Sequence, residues 1–234
     1  MSKKDTSPGG SEILRHEAVD GDGDIAHADD ERITAHLTRA IAAPASVFHE
    51  LVSDRIHVDV HIIPAADDRP YVTLASAGMS ARPMTMPPQM DDAAEWSHAE
   101  LCVFLPPDWP LGQDAMKDER NYWPIRLLKT LARLPHDYGT WLGWGHSIPN
   151  GDPAQPYAPD TRLCGAIIIP PFAHGEDLFI AEGKPTLRFF QILPVTDAEM
   201  KFKLQHGVDK LLEKLEKKLP DIYGPIDRAR KSAV

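Results

Sequence analysis

The stretches HAELCVFLPP at residues 98–107 and YWPIRLLKTLARLPH at residues 122–136 decide the fold class. The first is a continuous apolar run that ends in two prolines, and it is typical of a buried strand because proline cannot donate a ladder hydrogen bond. In the second, Ile125, Leu128 and Leu131 recur every three residues, and Pro124 suits the first turn of a helix. Together they predict a strand followed by an amphipathic helix.

Similar patterns lie on both sides of this pair. Further strands are predicted at RIHVDVHII (55–63), YVTLASAGM (71–79), RLCGAIIIPP (162–171) and PTLRFFQILPV (185–195). Helices are predicted at ERITAHLTRAIA (31–42) and from a capping box of Thr196 and Glu199 to Leu219, with a weak point or kink at Gly207. Clusters of strands with helices between them predict an α+β fold with a mixed, largely antiparallel β-sheet flanked by helices.

The length of 234 residues suits one large domain, or one domain with tails. The first 30 residues are rich in Gly, Asp and Ser, and acidic side chains outnumber basic ones there. This composition predicts a disordered acidic N-terminal tail at residues 1–30. The domain is expected at residues 31–220, followed by a C-terminal tail at residues 221–234.

The N-terminal tail contains a pattern that resembles a calcium site. Asp20, Asp22, Asp24 and Glu31 have the spacing of ligands in an EF-hand loop. The sixth position of that loop needs glycine for a sharp turn, and Ile25 stands there. We interpret the segment as a solvated acidic linker.

Charge and composition argue against several classes of partner. The formal net charge of -10 and the pI of about 5.5 disfavour binding to nucleic acid or to an anionic membrane surface. The sequence has neither a signal peptide nor an apolar run long enough to cross a bilayer. Cys102 and Cys164 both lie in apolar runs, which fits buried thiols in a reducing compartment. We therefore expect a cytoplasmic protein.

Motifs for nucleotide binding and for serine catalysis are missing from the sequence. It contains neither of the glycine-rich loops that hold nucleotide phosphates. Ser147 is followed by Pro149 where a nucleophile elbow needs glycine. We expect no cofactor and no catalytic residue.

The stretch DRIHVDVHIIP at residues 54–64 offers one alternative. His57, Asp59 and His61 alternate along the predicted strand and would share a face. Two imidazoles and a carboxylate are good metal ligands, although a tetrahedral site needs another ligand from elsewhere. The chain could thus be a metal-binding protein or a metal-dependent enzyme. The other interpretation is a polar strand face, on which Asp59 is a candidate contact for a partner.

The stretch TWLGWGHSIPNG at residues 140–151 places Trp141, Trp144 and His146 among glycines. Exposed tryptophans are frequent binding hot spots. Buried tryptophans beside glycine turns would instead plug the core. The pattern leaves both interpretations open.

The order of these motifs resembles that of the suppressor of fused family. The resemblance rests on the acid-led strand at Glu100 and Leu101, the helix opened by Trp123 and Pro124, and the Gly-His-x-Ile-Pro turn that contains His146. It continues through RPYVTLASAGMSARPM, AIIIPPF and FFQILPVTDAEMKFKLQHGVDKLLEKL, and covers about residues 40–220.

The resemblance implies protein binding rather than catalysis. Animal members are tethers for a transcription factor, whereas short, single-domain members are bacterial, and many are believed to be immunity proteins that neutralise toxins. An extended peptide that adds a strand to the sheet is the family's partner mode, so the partner would be such a peptide or a toxin domain. The resemblance places the open edge at residues 100–105 or at the strand beside them. Partner contacts are expected from Glu100, Leu101, Val103, Trp141, Trp144, His146 and Asp59. A structural or stress-related scaffold remains an alternative, and the oligomeric state is left open.

Overall fold

A computed structural model describes residues 5–19, 24–53 and 55–234, and the element counts below apply to these ranges. The six helices are α1 (Asp30–Ala40), α2 (Ala93–Trp96), α3 (Glu119–Asp137), α4 (Gly175–Phe179), α5 (Asp197–His206) and α6 (Val208–Lys218). The eight strands are β1 (Ser46–Phe48), β2 (Asp59–Ile63), β3 (Val72–Ala77), β4 (His98–Leu105), β5 (Ser147–Pro149), β6 (Leu163–Ile169), β7 (Ile180–Ala181) and β8 (Leu187–Thr196). Every helix in these ranges is too short or too polar to span a membrane.

The strands form one sheet with the order β1-β2-β3-β4-β8-β6-β5, and the short β7 pairs with the start of β8. Strands β4 and β8 run parallel, and the other described pairs are antiparallel. The predicted α+β class, with a mixed, largely antiparallel sheet flanked by helices, is confirmed.

Helices cover both faces of the sheet. On one face, α3 packs on a large core that includes Leu101, Val103 and Ile192. On the other face, α1 and α4 cover the half of the sheet that contains Phe104, while α5 and α6 cover the half that contains Leu193. Because both faces are covered, the buried strands read as continuous apolar runs rather than as alternating patterns.

The helix signals read from the sequence act locally as expected. The Thr196 side chain accepts from the Glu199 N–H, and the Glu199 side chain accepts from the Thr196 N–H, which forms the predicted capping box of α5. Gly207 has φ of 91° and ends α5, so the predicted last helix is divided into α5 and α6 at the weak point. Glycine suits this left-handed conformation because it has no Cβ.

The two segments predicted as tails make contacts with the domain. The Gly9 N–H donates to the Leu204 carbonyl, and the Val19 N–H donates to the Asp137 carbonyl, both at 2.9 Å. At the other end of the chain, residues 221–234 include the buried side chains of Ile222, Ile226 and Ala233. The division into domain and tails stays a prediction. Asp20 and Asp22 of the calcium-like pattern lie outside the described residues.

Candidate partner-binding site

Strand β4 lies inside the sheet. Its residues His98–Cys102 pair with Leu187–Gln191 of β8, and its residues Cys102–Leu105 pair with β3. Strand β4 and its neighbours β3 and β8 are inner strands, so the expectation of an open end strand there is wrong, although β8 pairs with β4 only as far as Cys102. The parallel neighbour of β4 is the last strand of the chain, and no local pattern records such a distant pairing.

The three predicted contact residues of β4 are all buried. The Glu100 carboxylate accepts from the hydroxyl of Ser76, from the N–H groups of Gly78, Met79 and Ser80, and from the hydroxyl of Ser80. It thereby holds the turn that follows β3. Leu101 and Val103 pack in the core under α3. Contact of these side chains with a partner would require the sheet to open, and that role stays a prediction.

The segment from Trp141 to His146 forms a surface at the far end of the sheet. The Trp144 side chain is 41% exposed, and its ring meets that of Phe172, itself 47% exposed, at a centroid distance of 6.0 Å. Phe172 in turn packs on Tyr223 at 4.8 Å. Trp141 is half-buried against the His146 ring at 4.3 Å. We call these five residues the aromatic surface.

Backbone hydrogen bonds fix this segment to β6. The Gly145 N–H donates to the Ile168 carbonyl, and the Ile168 N–H donates to the His146 carbonyl. Gly143 lies so close to Trp141 that a Cβ there would be 2.7 Å from the indole ring. The glycine is thus required for the tryptophan to fold back, and the geometry combines features of both interpretations: Trp144 is exposed while Trp141 is partly buried.

Burial keeps His146 neutral at physiological pH. Burial, together with the nearby positive charge of Lys203, lowers the pKa of this imidazole to about 4. Burial also lowers the pKa of Lys203, whose ammonium donates to the Ser147 hydroxyl at 3.1 Å. A neutral imidazole and a cation therefore lie beside the exposed rings.

Two described strands at the ends of the sheet, β1 and β5, pair on one side only. Strand β5 follows directly after His146 and borders the aromatic surface. Strand β1 is followed by Leu51 and Val52, which are 95% and 80% exposed. Each of these two end strands leaves an edge on which another strand could pair.

The face formed by His57, Asp59 and His61 does not converge on one point. His57 Nε2 and His49 Nδ1 each lie 2.8 Å from an oxygen of Asp59, which also accepts from the Glu50 N–H. His61 instead contacts Asp30 of α1, with Nε2 2.8 Å from Oδ1. Across the described ranges, no group of three or more His, Cys, Asp or Glu side chains is arranged to hold a metal ion. Contact of Asp59 with a partner stays a prediction.

The sequence patterns did not predict that Phe172 and Tyr223 belong to the aromatic surface. Phe172 follows the two prolines that end β6, so the motif IIIPPF could have placed an aromatic ring at the end of that strand. Tyr223 lies in the segment predicted as a C-terminal tail, where no local signal indicates packing against the ring of Phe172, 51 residues earlier.

The family model described as suppressor of fused protein (SUFU) matches residues 54–229, more than half of the chain. No curated protein matches in sequence.

Three solved structures show the same fold. A suppressor of fused homologue from Neisseria gonorrhoeae is 18% identical, with a TM-score of 0.63 over 87% of this chain and 96% of that one. The structure titled the Sufu-Fu complex is 17% identical, with a TM-score of 0.59 over 87% and 91%. Drosophila Suppressor of Fused is 16% identical, with a TM-score of 0.62 over 89% of this chain and 52% of that one. The family match and the shared fold agree, and this chain belongs to the suppressor of fused family.

Proposed function

We propose that this chain is a non-enzymatic protein-binding domain that acts in the bacterial cytoplasm as an immunity protein and neutralises a toxin. Membership of the suppressor of fused family supports protein binding. So does the existence of a related fold in a structure titled as a complex of Sufu with Fu.

One observation supports a position for the proposed binding site. The exposed rings of Trp144 and Phe172 stand side by side next to β5, a strand with one unpaired edge. Large exposed aromatic rings supply much contact area at low entropic cost and are enriched among binding hot spots. The partner is a toxin domain or an extended segment of it, seated on the aromatic surface and along β5.

Charge indicates the kind of partner. The formal net charge of -10 favours association with a basic protein and repels acidic ones. Many toxins that act on nucleic acids need basic surfaces for their substrates, so masking such a surface would neutralise them.

The experiment has two steps. The partner is first identified by co-purification from the native host, and its affinity is measured for the wild-type chain and for Trp144→Ala and Phe172→Ala. Each substitution is expected to weaken binding by at least about 10-fold, because truncating a hot-spot ring costs about 2 kcal/mol or more. Cells that express the partner should survive with the wild-type chain and die with these variants.

The matched control is Leu51→Ser, which removes an equally apolar and more exposed side chain beside the other open edge. It should bind like the wild type. Unchanged affinity in both aromatic variants, together with loss in Leu51→Ser, would move the site to β1. A partner whose expression is harmless to cells would contradict the immunity role.

A further inference from the structure

The sheet divides between β4 and β8. Their parallel pairing ends at Cys102 and Gln191. Beyond that point, Val103–Leu105 pair with β3, and Ile192–Thr196 pair with β6. We call the opening between the two diverging strands the cleft.

The C-terminal segment, residues 221–234, runs through the cleft. Ile222 packs with the core under α6, whereas Ile226 packs with the core under α3 on the opposite face of the sheet. On the way, the Ile226 N–H donates to the Phe104 carbonyl at 2.9 Å, and Gln191 Nε2 donates to the Tyr223 carbonyl at 3.0 Å. The segment thus uses a hydrogen-bonding group of β4 that β8 leaves free.

A buried ion pair fastens the end of the segment. The Arg230 guanidinium donates to both oxygens of Glu199, at 2.6 and 2.8 Å, and to the Pro194 carbonyl at 2.9 Å. The Ala233 N–H also donates to Glu199. Glu199 is fully buried, and the Arg230 side chain is 9% exposed. Such bidentate pairing adds geometric specificity as well as energy to the recognition of an arginine by a carboxylate.

The segment fits the cleft incompletely. A cavity of about 250 Å³ remains between it and β8, lined by residues that include Gln191, Leu193 and Ile226. The buried Oε1 of Gln191 has no hydrogen-bond donor among the described residues. Buried acceptors are nearly always satisfied in native proteins. Space together with an unused acceptor indicates a cleft that can receive a chain other than this one.

We propose that the cleft is a binding site for an extended basic peptide of a partner, and that the C-terminal segment is an internal ligand that this peptide displaces. The segment itself shows the chemistry that is recognised: an apolar residue at Ile226, followed two and four positions later by Arg228 and Arg230. Arg228 lies over the Trp109 ring at 3.6 Å and contacts Asp160 at 3.1 Å, so both arginines have dedicated sites. Only the origin of the competing peptide rests on the proposed function.

The test uses the full chain and a fluorescent synthetic peptide with the sequence of residues 221–234. Arg230→Ala releases the internal segment, leaves Glu199 in place, and should bind the labelled peptide at least about 10-fold more tightly than the wild type does. Lys231→Ala, at an exposed neighbouring position, should bind like the wild type. Adding Glu199→Gln to Arg230→Ala should abolish the gain. A folded Arg230→Ala chain that binds no more tightly than the wild type overturns the proposal.

Hydrogen exchange in the wild-type chain covers the case in which the variant fails to fold. The Ile226 amide should exchange at least about 10-fold faster than the amides in the centre of β3 and β4, because the segment opens without unfolding the sheet. Equal rates would show that the segment leaves only on global unfolding, which also overturns the proposal. Neither measurement uses the natural partner, so a failure here is distinguishable from a failure at Trp144.

Discussion

Glu100 in β4 and Glu199 in α5 are both fully buried carboxylates, yet they hold different parts of the chain. Glu100 accepts only from uncharged donors at residues 76–80, in a turn enclosed between two core strands. Glu199 caps its own helix and accepts from Arg230 and Ala233, within the last five residues of the chain.

The difference lies in what happens when the contact is lost. The donors of Ser76, Gly78 and Met79 around Glu100 are buried and fixed by the strands on either side, so they would remain unsatisfied. Arg230 and Ala233, which also donate to Glu199, belong to the C-terminal segment, and their donors would be hydrated if that segment left the cleft. Burial of a carboxylate therefore does not show whether its contacts persist until the protein unfolds or can open in the folded state. The positions of its donors in the chain indicate which of the two applies.

The largest effect is expected from Glu100→Ala. It leaves several buried donors without an acceptor, and the free energy of unfolding should fall by about 3–5 kcal/mol. Urea denaturation measures this loss. Ser80→Ala, which removes one of the donating hydroxyls, is the matched control and should cost about 1 kcal/mol. Equal losses in the two variants would show that the turn does not depend on the carboxylate.

A smaller loss of about 1–2 kcal/mol is expected from Arg230→Ala, because the freed segment can relax into water. The same urea titration measures it. A loss in the free energy of unfolding as large as that of Glu100→Ala would show that the C-terminal segment is held as firmly as the turn around Glu100.

Acid should reduce the contribution of the Glu199–Arg230 ion pair to stability. Burial alone would raise the pKa of Glu199, but the hydrogen bonds and charge of Arg230 outweigh it and lower the pKa below its ordinary value of 4.5. A carboxyl whose pKa is lower in the folded state contributes stability above its unfolded pKa and loses it as the pH falls through the folded value. The stability advantage of the wild type over Arg230→Ala should therefore shrink below about pH 4.5.

Urea midpoints measured from pH 7 to pH 3 for both chains provide this difference. His146, with a pKa of about 4, titrates in the same range, but it is present in both chains and its effect cancels. An advantage of the wild type that stays constant down to pH 3 would contradict a stabilising role of the ionised Glu199.

The smallest effect is expected from Lys201→Ala. Lys201 pairs with Asp197 on the same helix as Glu199, and both side chains are mostly exposed. Exposed pairs of this kind contribute little because water and salt screen them. We expect no resolvable change in the urea midpoint. A clear loss would indicate that ion pairing on α5, rather than burial, gives the Glu199 contact its strength.

Local features of the chain were predictable. The apolar run of β4, the repeat of Ile125, Leu128 and Leu131 in α3, and the capping box at Thr196 depend only on neighbours within a few residues. Trp144 was also identified as a candidate contact, because an aromatic residue among glycines is visible in a short window. Its exposure was not predictable, since that depends on what packs around it.

The elements, the α+β class and the resemblance to suppressor of fused proteins follow from the amino-acid sequence, because periodicity, caps and motif order are recorded locally. The folded chain is needed to see that β4 is an inner strand, that Phe172 contacts Trp144, and that Arg230 reaches Glu199 through a divided sheet. Each of these depends on residues that are far apart in the chain. Their contacts arise from the packing of the whole sheet, for which a short stretch of sequence carries no signal.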